Sequence, residues 1–223
     1  MMSRVRLLAL FAAGAAGSAG SLRAQAAGLP VRNAGIGTGI GIAADVGFPN
    51  AAGGKGTAIG ATGVIGLGPL GVSATVAHWT PKGQEGINSV AATLNLKIIG
   101  GPLIPLSLTL QGGAGYHKES TIEGGKLTSL HLPAGLGLAL TIPNPAFSIK
   151  PWVAPRVDVS VQHESGGTAA SDTQHEEHFG ISGGVDLGFL NGLTIRAMYD
   201  RLLWSDAGNP SVLSLGLGFR VGK

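Results

Sequence analysis

Large apolar residues recur at every second position through most of this chain. In the last segment Leu213, Leu215, Leu217, Phe219 and Val221 alternate with Ser214, Gly216, Gly218 and Arg220. Successive side chains of a β-strand point to opposite faces, so a period of two marks a strand with one apolar face and one small or polar face. The same pattern puts Leu130, Leu132, Ala134, Leu136, Leu138, Leu140 and Ile142 on one side, against Ser129, His131, Pro133, Gly135, Gly137, Ala139 and Thr141. Between 146 and 162, Phe147, Ile149, Val153, Val157, Val159 and Val161 oppose Ser148, Lys150, Trp152, Arg156, Asp158 and Ser160. Ten strands are predicted, over 34–48, 56–66, 69–80, 87–99, 103–117, 127–142, 146–162, 177–189, 192–204 and 211–222. Glycine is most frequent in the first two, where the period is least sharp.

The connectors alternate as well. Short turns at 66–69, 100–102, 143–146 and 190–192 separate longer polar loops at 49–55, 81–86, 118–126, 164–176 and 205–210. This arrangement predicts an all-β fold, an antiparallel up-and-down barrel with short turns at one rim and long loops at the other. Eight strands is the alternative if the glycine-rich first segments pair differently.

Composition decides which face is outside. Only 12% of the residues are charged, about half the share usual in soluble domains. A soluble barrel needs many Lys and Glu on its exterior, and this chain does not supply them. The apolar faces are therefore expected to look outward into hydrocarbon, making the barrel transmembrane. No run of 18 apolar residues follows the N-terminal segment, so no spanning helix is expected.

The N-terminus has its own pattern. Arg4 and Arg6 precede the apolar run LLALFAAGAAGSAG, and Ala24-Gln25-Ala26 supplies a small-x-small site. This is the layout of a secretory signal peptide, with cleavage expected after Ala26 and the barrel occupying 27–223. Of the 15 Lys and Arg, three (Arg4, Arg6 and Arg23) precede that site, so the remainder balances the 12 Asp and Glu. No basic excess is left to argue for nucleic acid. The chain has no cysteine, which excludes a disulfide framework and thiolate metal sites.

Aromatic residues fall near the predicted strand ends. Phe48, Trp79, Tyr116, Phe179 and Trp204 lie toward the long loops, and Phe147, Phe189 and Phe219 toward the short turns. Two such belts are expected where rings settle at headgroup level. Leader, alternating hairpins and final strand together resemble the small, single-domain bacterial outer-membrane β-barrel proteins of Gram-negative-type envelopes. That resemblance implies location in the outer membrane and contact with its lipid and lipopolysaccharide. It also implies recognition by the barrel-insertion machinery, although members typically end on an aromatic residue and here Phe219 is followed by Arg220-Val221-Gly222-Lys223.

By parity, the inward residues include Asp45, Lys97, His131, Lys150, Arg156, Asp158, Asp186, Arg196, Asp200 and Arg220. Counting from the turns sets Asp158 opposite His131, Arg196 near Asp186, and Arg220 beside Arg196. Charges held away from water need partners, so acids and bases are expected to meet in a luminal network. A filled lumen suits a barrel of this size, and a structural or surface-interaction role for a monomer follows. A narrow solute pore is the alternative, since inward Gly37, Gly39 and Gly41 leave room for water.

Candidate chemistry is sparse. His163-Glu164-Ser165 resembles the His-x-Ser arrangement of outer-membrane lipid A deacylases, which makes His163 and Ser165 the catalytic candidates of an alternative, lipid-modifying reading. His175-Glu176-Glu177-His178 does not have the spacing of the helical zinc motif, and a solvated acidic loop is expected rather than a metal site. Gly35-Ile36-Gly37-Thr38-Gly39 lacks the strand–turn–helix setting of a phosphate loop. No cofactor is expected.

Overall fold

A computed structural model of the chain describes residues 26–101, 104–120, 125–166, 172–203 and 208–222. Eleven strands form one antiparallel sheet: β1 Gly39–Pro49, β2 Thr57–Leu67, β3 Leu70–Thr80, β4 Ile87–Gly101, β5 Ile104–Ser120, β6 Lys126–Leu140, β7 Ile142–Pro143, β8 Phe147–Ser165, β9 Asp172–Phe189, β10 Leu193–Leu203 and β11 Ser211–Val221. Each long strand pairs with its neighbours in sequence; β1 also pairs with β11, and the sheet closes on itself. β7 is a two-residue continuation of β6 that pairs with β8. The protein is thus a closed ten-stranded up-and-down barrel with one short extra strand.

The hairpins follow from local chemistry. Between β2 and β3 only Gly68 and Pro69 intervene, and Leu67 pairs with Leu70. Gly68 has a φ of 61°, and the ring of Pro69 fixes a negative φ after it, the combination that a type II′ hairpin requires. The turn before β8 is centred one residue later than the sequence suggests. Asn144 donates its backbone N–H to the Phe147 carbonyl, while its Oδ1 accepts from Ala146 N at 3.1 Å. As a result Asp158 lies opposite Pro133, and His131 opposite Ser160.

Side-chain parity holds around the wall. Ile40, Ile42, Leu94, Leu136, Leu215 and Leu217 are exposed on the outer face, while Asn95, Gln111, Ser129, Ser182 and Ser214 are buried inside. The strands of 11 residues (β1, β2, β3, β10, β11) match the span a tilted strand needs to cross a hydrocarbon core of ~30 Å. β8 and β9, at 19 and 18 residues, are much longer and carry His163, Ser165 and the His175–His178 stretch at their loop ends.

Most of the aromatic residues named above are on the outer face. Phe48, Tyr116 and Phe179 are exposed toward the loop rim; Phe189 and Phe219 are exposed toward the turn rim, and Phe147 pairs with Phe189. The Lys118 ammonium lies 5.7 Å from the Tyr116 ring centre. Trp79 is a correction: it faces inward, is 2% exposed, and donates its Nε1–H to the Lys55 carbonyl at 3.3 Å. Inward parity, not distance from the strand end, decides its side. Trp204 lies outside the described residues.

The largest difference from the sequence pattern is at the start. Residues 34–38 do not extend the first strand. Residues 26–38 run inside the barrel, from Ser89, Trp79 and Ala58 at the loop rim to Arg220 and Gly66 at the turn rim.

Candidate functional site: the plugged lumen

The inner wall of β1, β2 and β3 includes Gly47, Gly60, Gly66 and Gly71, and the N-terminal segment fills the space they leave. A Cβ on Gly71 would meet Ile36 at 2.6 Å, and one on Gly60 or Gly47 would collide with Leu29 or the Gly28 carbonyl. Ala26, Ala27 and Leu29 pack with Ala58, Ala77, Trp79 and Ile87. Farther down, Ala34 packs with Ala139, Trp152, Ala154 and Met198, and Val31 packs on Val212. Gly37 belongs to this segment, so the room left by small residues is occupied by chain.

Polar contacts fix the segment's course. Ala27 N donates to Ser89 Oγ at 3.1 Å, and Val31 N donates to Asp200 Oδ2 at 2.8 Å. The Arg32 carbonyl accepts from Gln111 Nε2 at 2.9 Å. Arg32 itself, the one charge on this stretch, forms an ion pair with Asp186. Below it Arg220 Nη1 donates to the Gly37 carbonyl. Buried backbone groups need partners, and a non-regular segment in a barrel relies on side chains directed at it.

Three further ion pairs lie in the wall, in two groups. Arg156 sits between two acids, with Nε 2.7 Å from Asp158 Oδ2 and Nη2 2.8 Å from Asp200 Oδ1; all three side chains are at most 3% exposed. Arg196 binds Asp45 through two nitrogens, with Nε at 2.6 Å from Oδ1. This pair reaches across β11 over Gly216, which faces both partners in the register. A Cβ there would collide with Asp45 Oδ1 and come within 2.8 Å of Arg196 Nε. Glycine at 216 is what lets the bridge form. Partners differ from those counted from the turns: Arg196 lies opposite Asp186 but binds Asp45, leaving Asp186 to Arg32. Arg220 is not beside Arg196, because Gly216 occupies that register position.

Uncharged polar groups complete the interior. Thr62 and Thr75 hydroxyls are 2.9 Å apart, Ser73 and Thr93 are 2.6 Å apart, and Asn95 donates to Thr93 at 2.9 Å. They line a cavity of about 60 Å³ beside the plug, room for water and little else. His131 is stacked on His117, ring centres 5.4 Å apart and nearly parallel. Arg32, Asn33 and Gln111 are luminal residues that alternation alone did not single out. The glycine-lined wall of β1 to β3, which needs a filler, was the available signal.

The catalytic candidates sit elsewhere. His163 is exposed on the outer face of β8, and its Nδ1 meets Thr173 Oγ1 at 3.0 Å. A base–hydroxyl–acid relay requires the imidazole to face the nucleophile and an orienting carboxylate; here its hydrogen bond goes to a threonine on β9. In the acidic stretch, His178 Nε2 lies 3.3 Å from Glu176 Oε2 on the inner face, whereas alternation turns His175 outward. The two histidines point away from a common centre.

No protein-family model matches the chain, and no curated protein does either. Among solved structures it is similar to the translocator domain of the autotransporter NalP from Neisseria meningitidis, at 15% identity and a TM-score of 0.46, covering 83% of this chain and 90% of that one. It is also similar to the outer membrane protease OmpT from Escherichia coli (9% identity, TM-score 0.43, 82% and 94% covered). A third is Ail, the attachment invasion locus protein of Yersinia pestis (10%, 0.40, 82% and 99%). The roles in those names belong to those proteins.

Proposed function

We propose that this chain is an integral outer-membrane barrel, closed along its axis by residues 27–38, with a structural or surface-interaction role carried by its five longer loops. The observation that supports this reading is the inversion of the usual protein interior. Charged and amide side chains such as Asp45, Asn95, Gln111, Arg156, Asp158 and Asp200 are buried, while leucine, isoleucine, valine and phenylalanine cover the outside. An apolar patch of a few hundred Å² is already large for a soluble monomer; here it encircles the molecule. Lipid is the medium in which that surface is stable, and closure leaves no unpaired strand edge in it.

The axial segment supports closure over conduction. Its apolar side chains fill the glycine-lined wall and its backbone is hydrogen-bonded to several strands, so the cavity between it and Thr62, Thr75 and Asn95 is of a size for water. Cleavage after Ala26 leaves the new terminus, Ala27, inside the loop-side mouth against Ser89 Oγ. Partners on this reading are outer-membrane lipid, lipopolysaccharide at the loop rim, and the machinery that inserts barrels.

The test is gel mobility of membrane fractions with and without boiling. The unboiled protein is expected in the outer-membrane fraction as a compact, fast-migrating form that shifts on heating. Recovery of the protein in the soluble periplasmic extract would overturn the proposal.

A further inference from the structure

Charge is unevenly distributed along the lumen. Toward the loops the balance is acidic, with Arg156 held between Asp158 and Asp200. Toward the turns it reverses. Lys150 lies near the start of β8, Arg220 near the end of β11 and Lys97 in the turn-side part of β4, all on the inner face. Around Lys150 the electrostatic neighbours are Arg32, Arg220, Lys97 and the carboxylate of Asp186. Four cations share one acid.

The register accounts for the excess. Lys150 pairs across β8 and β9 with Asp186, but that carboxylate already holds Arg32. Arg196, on the other side of Asp186, is neutralised by Asp45. Arg220 donates to the neutral Gly37 carbonyl and, among the described residues, has no carboxylate within ion-pair distance. Among the described residues, neither the Lys97 nor the Lys150 ammonium has a carboxylate within ion-pair distance. Like charges gathered inside a low-dielectric wall repel strongly and call for a counter-charge.

We propose that the turn-side lumen is a binding site for a phosphoryl oxyanion, held by Arg32, Lys97, Lys150 and Arg220. A guanidinium presents a fork of donors that matches two phosphoryl oxygens, and an ammonium adds a point charge. A multiply charged anion matches the surplus better than chloride. The phosphoryl group has two possible sources, a free phosphate in the water at the turn rim or a lipid headgroup reaching in from the membrane surface. The site depends on the closed barrel and its axial segment, and it stands whatever the loops contact.

Calorimetric titration of the full chain, purified from membranes in nonionic detergent, tests this. The probes are inorganic pyrophosphate, sodium chloride, and nonionic micelles doped with phosphatidylglycerol. Pyrophosphate is expected to bind one-to-one and to raise the thermal midpoint, with affinity lowered at least about tenfold by Lys97→Gln or Lys150→Gln and unchanged by Lys118→Gln on the outer face. Should Lys150→Gln fail to fold, Lys97→Gln and Arg220→Gln carry the same expectation. Saturation by the lipid phosphate alone, weakened by Lys97→Gln, would support the site and identify the headgroup as its source. No saturable response to either phosphoryl probe would overturn the proposal. So would chloride binding of equal strength, or unchanged affinity in a Lys97→Gln, Lys150→Gln double variant that folds.

Discussion

Adjacent residues in this chain have opposite surroundings, so neighbouring substitutions are expected to do different things. Leu136 faces outward at 45% exposure; Leu136→Arg places a charge in hydrocarbon and is expected to cost about 2–4 kcal/mol near the bilayer midplane. Unfolding in urea from lipid vesicles checks this. Gly137, one position on, faces inward, where a Cβ would collide with the Asn33 carbonyl and come within 2.7 Å of its side chain. Gly137→Ser is therefore expected to spare the barrel and displace the axial segment, read as new protease cleavage between residues 26 and 38. For the Asp45–Arg196 pair the costs are asymmetric. Removing one partner leaves a buried charge unpaired, so Asp45→Ala is expected to lose about 3–5 kcal/mol. Asp45→Ala combined with Arg196→Ala should recover much of that loss, and a double-mutant cycle of unfolding free energies measures how much. A fully additive double variant would show that the two side chains are uncoupled.

At the scale of elements, the barrel wall and the segment inside it differ in how visible they are to sequence reading. The wall was legible because each strand buries one face against a polar lumen and shows the other to lipid, which writes a period of two from Leu70 to Val221. Turn chemistry at Gly68-Pro69 and Asn144 set the boundaries to within a few residues. The axial segment was not legible by the same rule. Ile36, Thr38 and Ile40 continue the alternation backward from β1, although only from Gly39 onward does the backbone pair with β2 and β11. Ile36 is apolar because it packs into the gap at Gly71, not because it meets lipid. The ion pairs were partly legible for a related reason: parity gave the inward set, but Arg196 reaches past its direct neighbour Asp186 because Gly216 clears a path to Asp45. Arg32, outside every predicted strand and so given no side by parity, neutralises Asp186. Single-channel recording tests the segment as an element. The unmodified protein is expected to show no discrete conductance, whereas Arg32→Ala, which removes its only charge-pair anchor, and Gly137→Ser are expected to show intermittent openings. Silent bilayers with both variants would indicate that the lumen stays closed without this anchorage.

The molecule as a whole reverses the usual arrangement of its side chains toward solvent. A soluble protein gathers its apolar side chains away from water, and this one gathers its ions and amides. They satisfy one another around a segment of the chain's own N-terminus, and hydrocarbon takes the place of the core. The stability of the ring then comes from closure of the hydrogen-bonded sheet, with no open edge, and from a lumen filled by side chains and backbone. The most direct measurement of that reversal uses the absence of native cysteine to place one fluorophore at a time on adjacent residues of β3. Thr75 lines the inner cavity and Val76 is 59% exposed on the outside. With the barrel reconstituted in vesicles of brominated lipid, a label on Val76→Cys is expected to be strongly quenched by the bromine atoms and a label on Thr75→Cys to be nearly untouched. Equal quenching at both positions, or stronger quenching at Thr75→Cys, would contradict the assignment of sides.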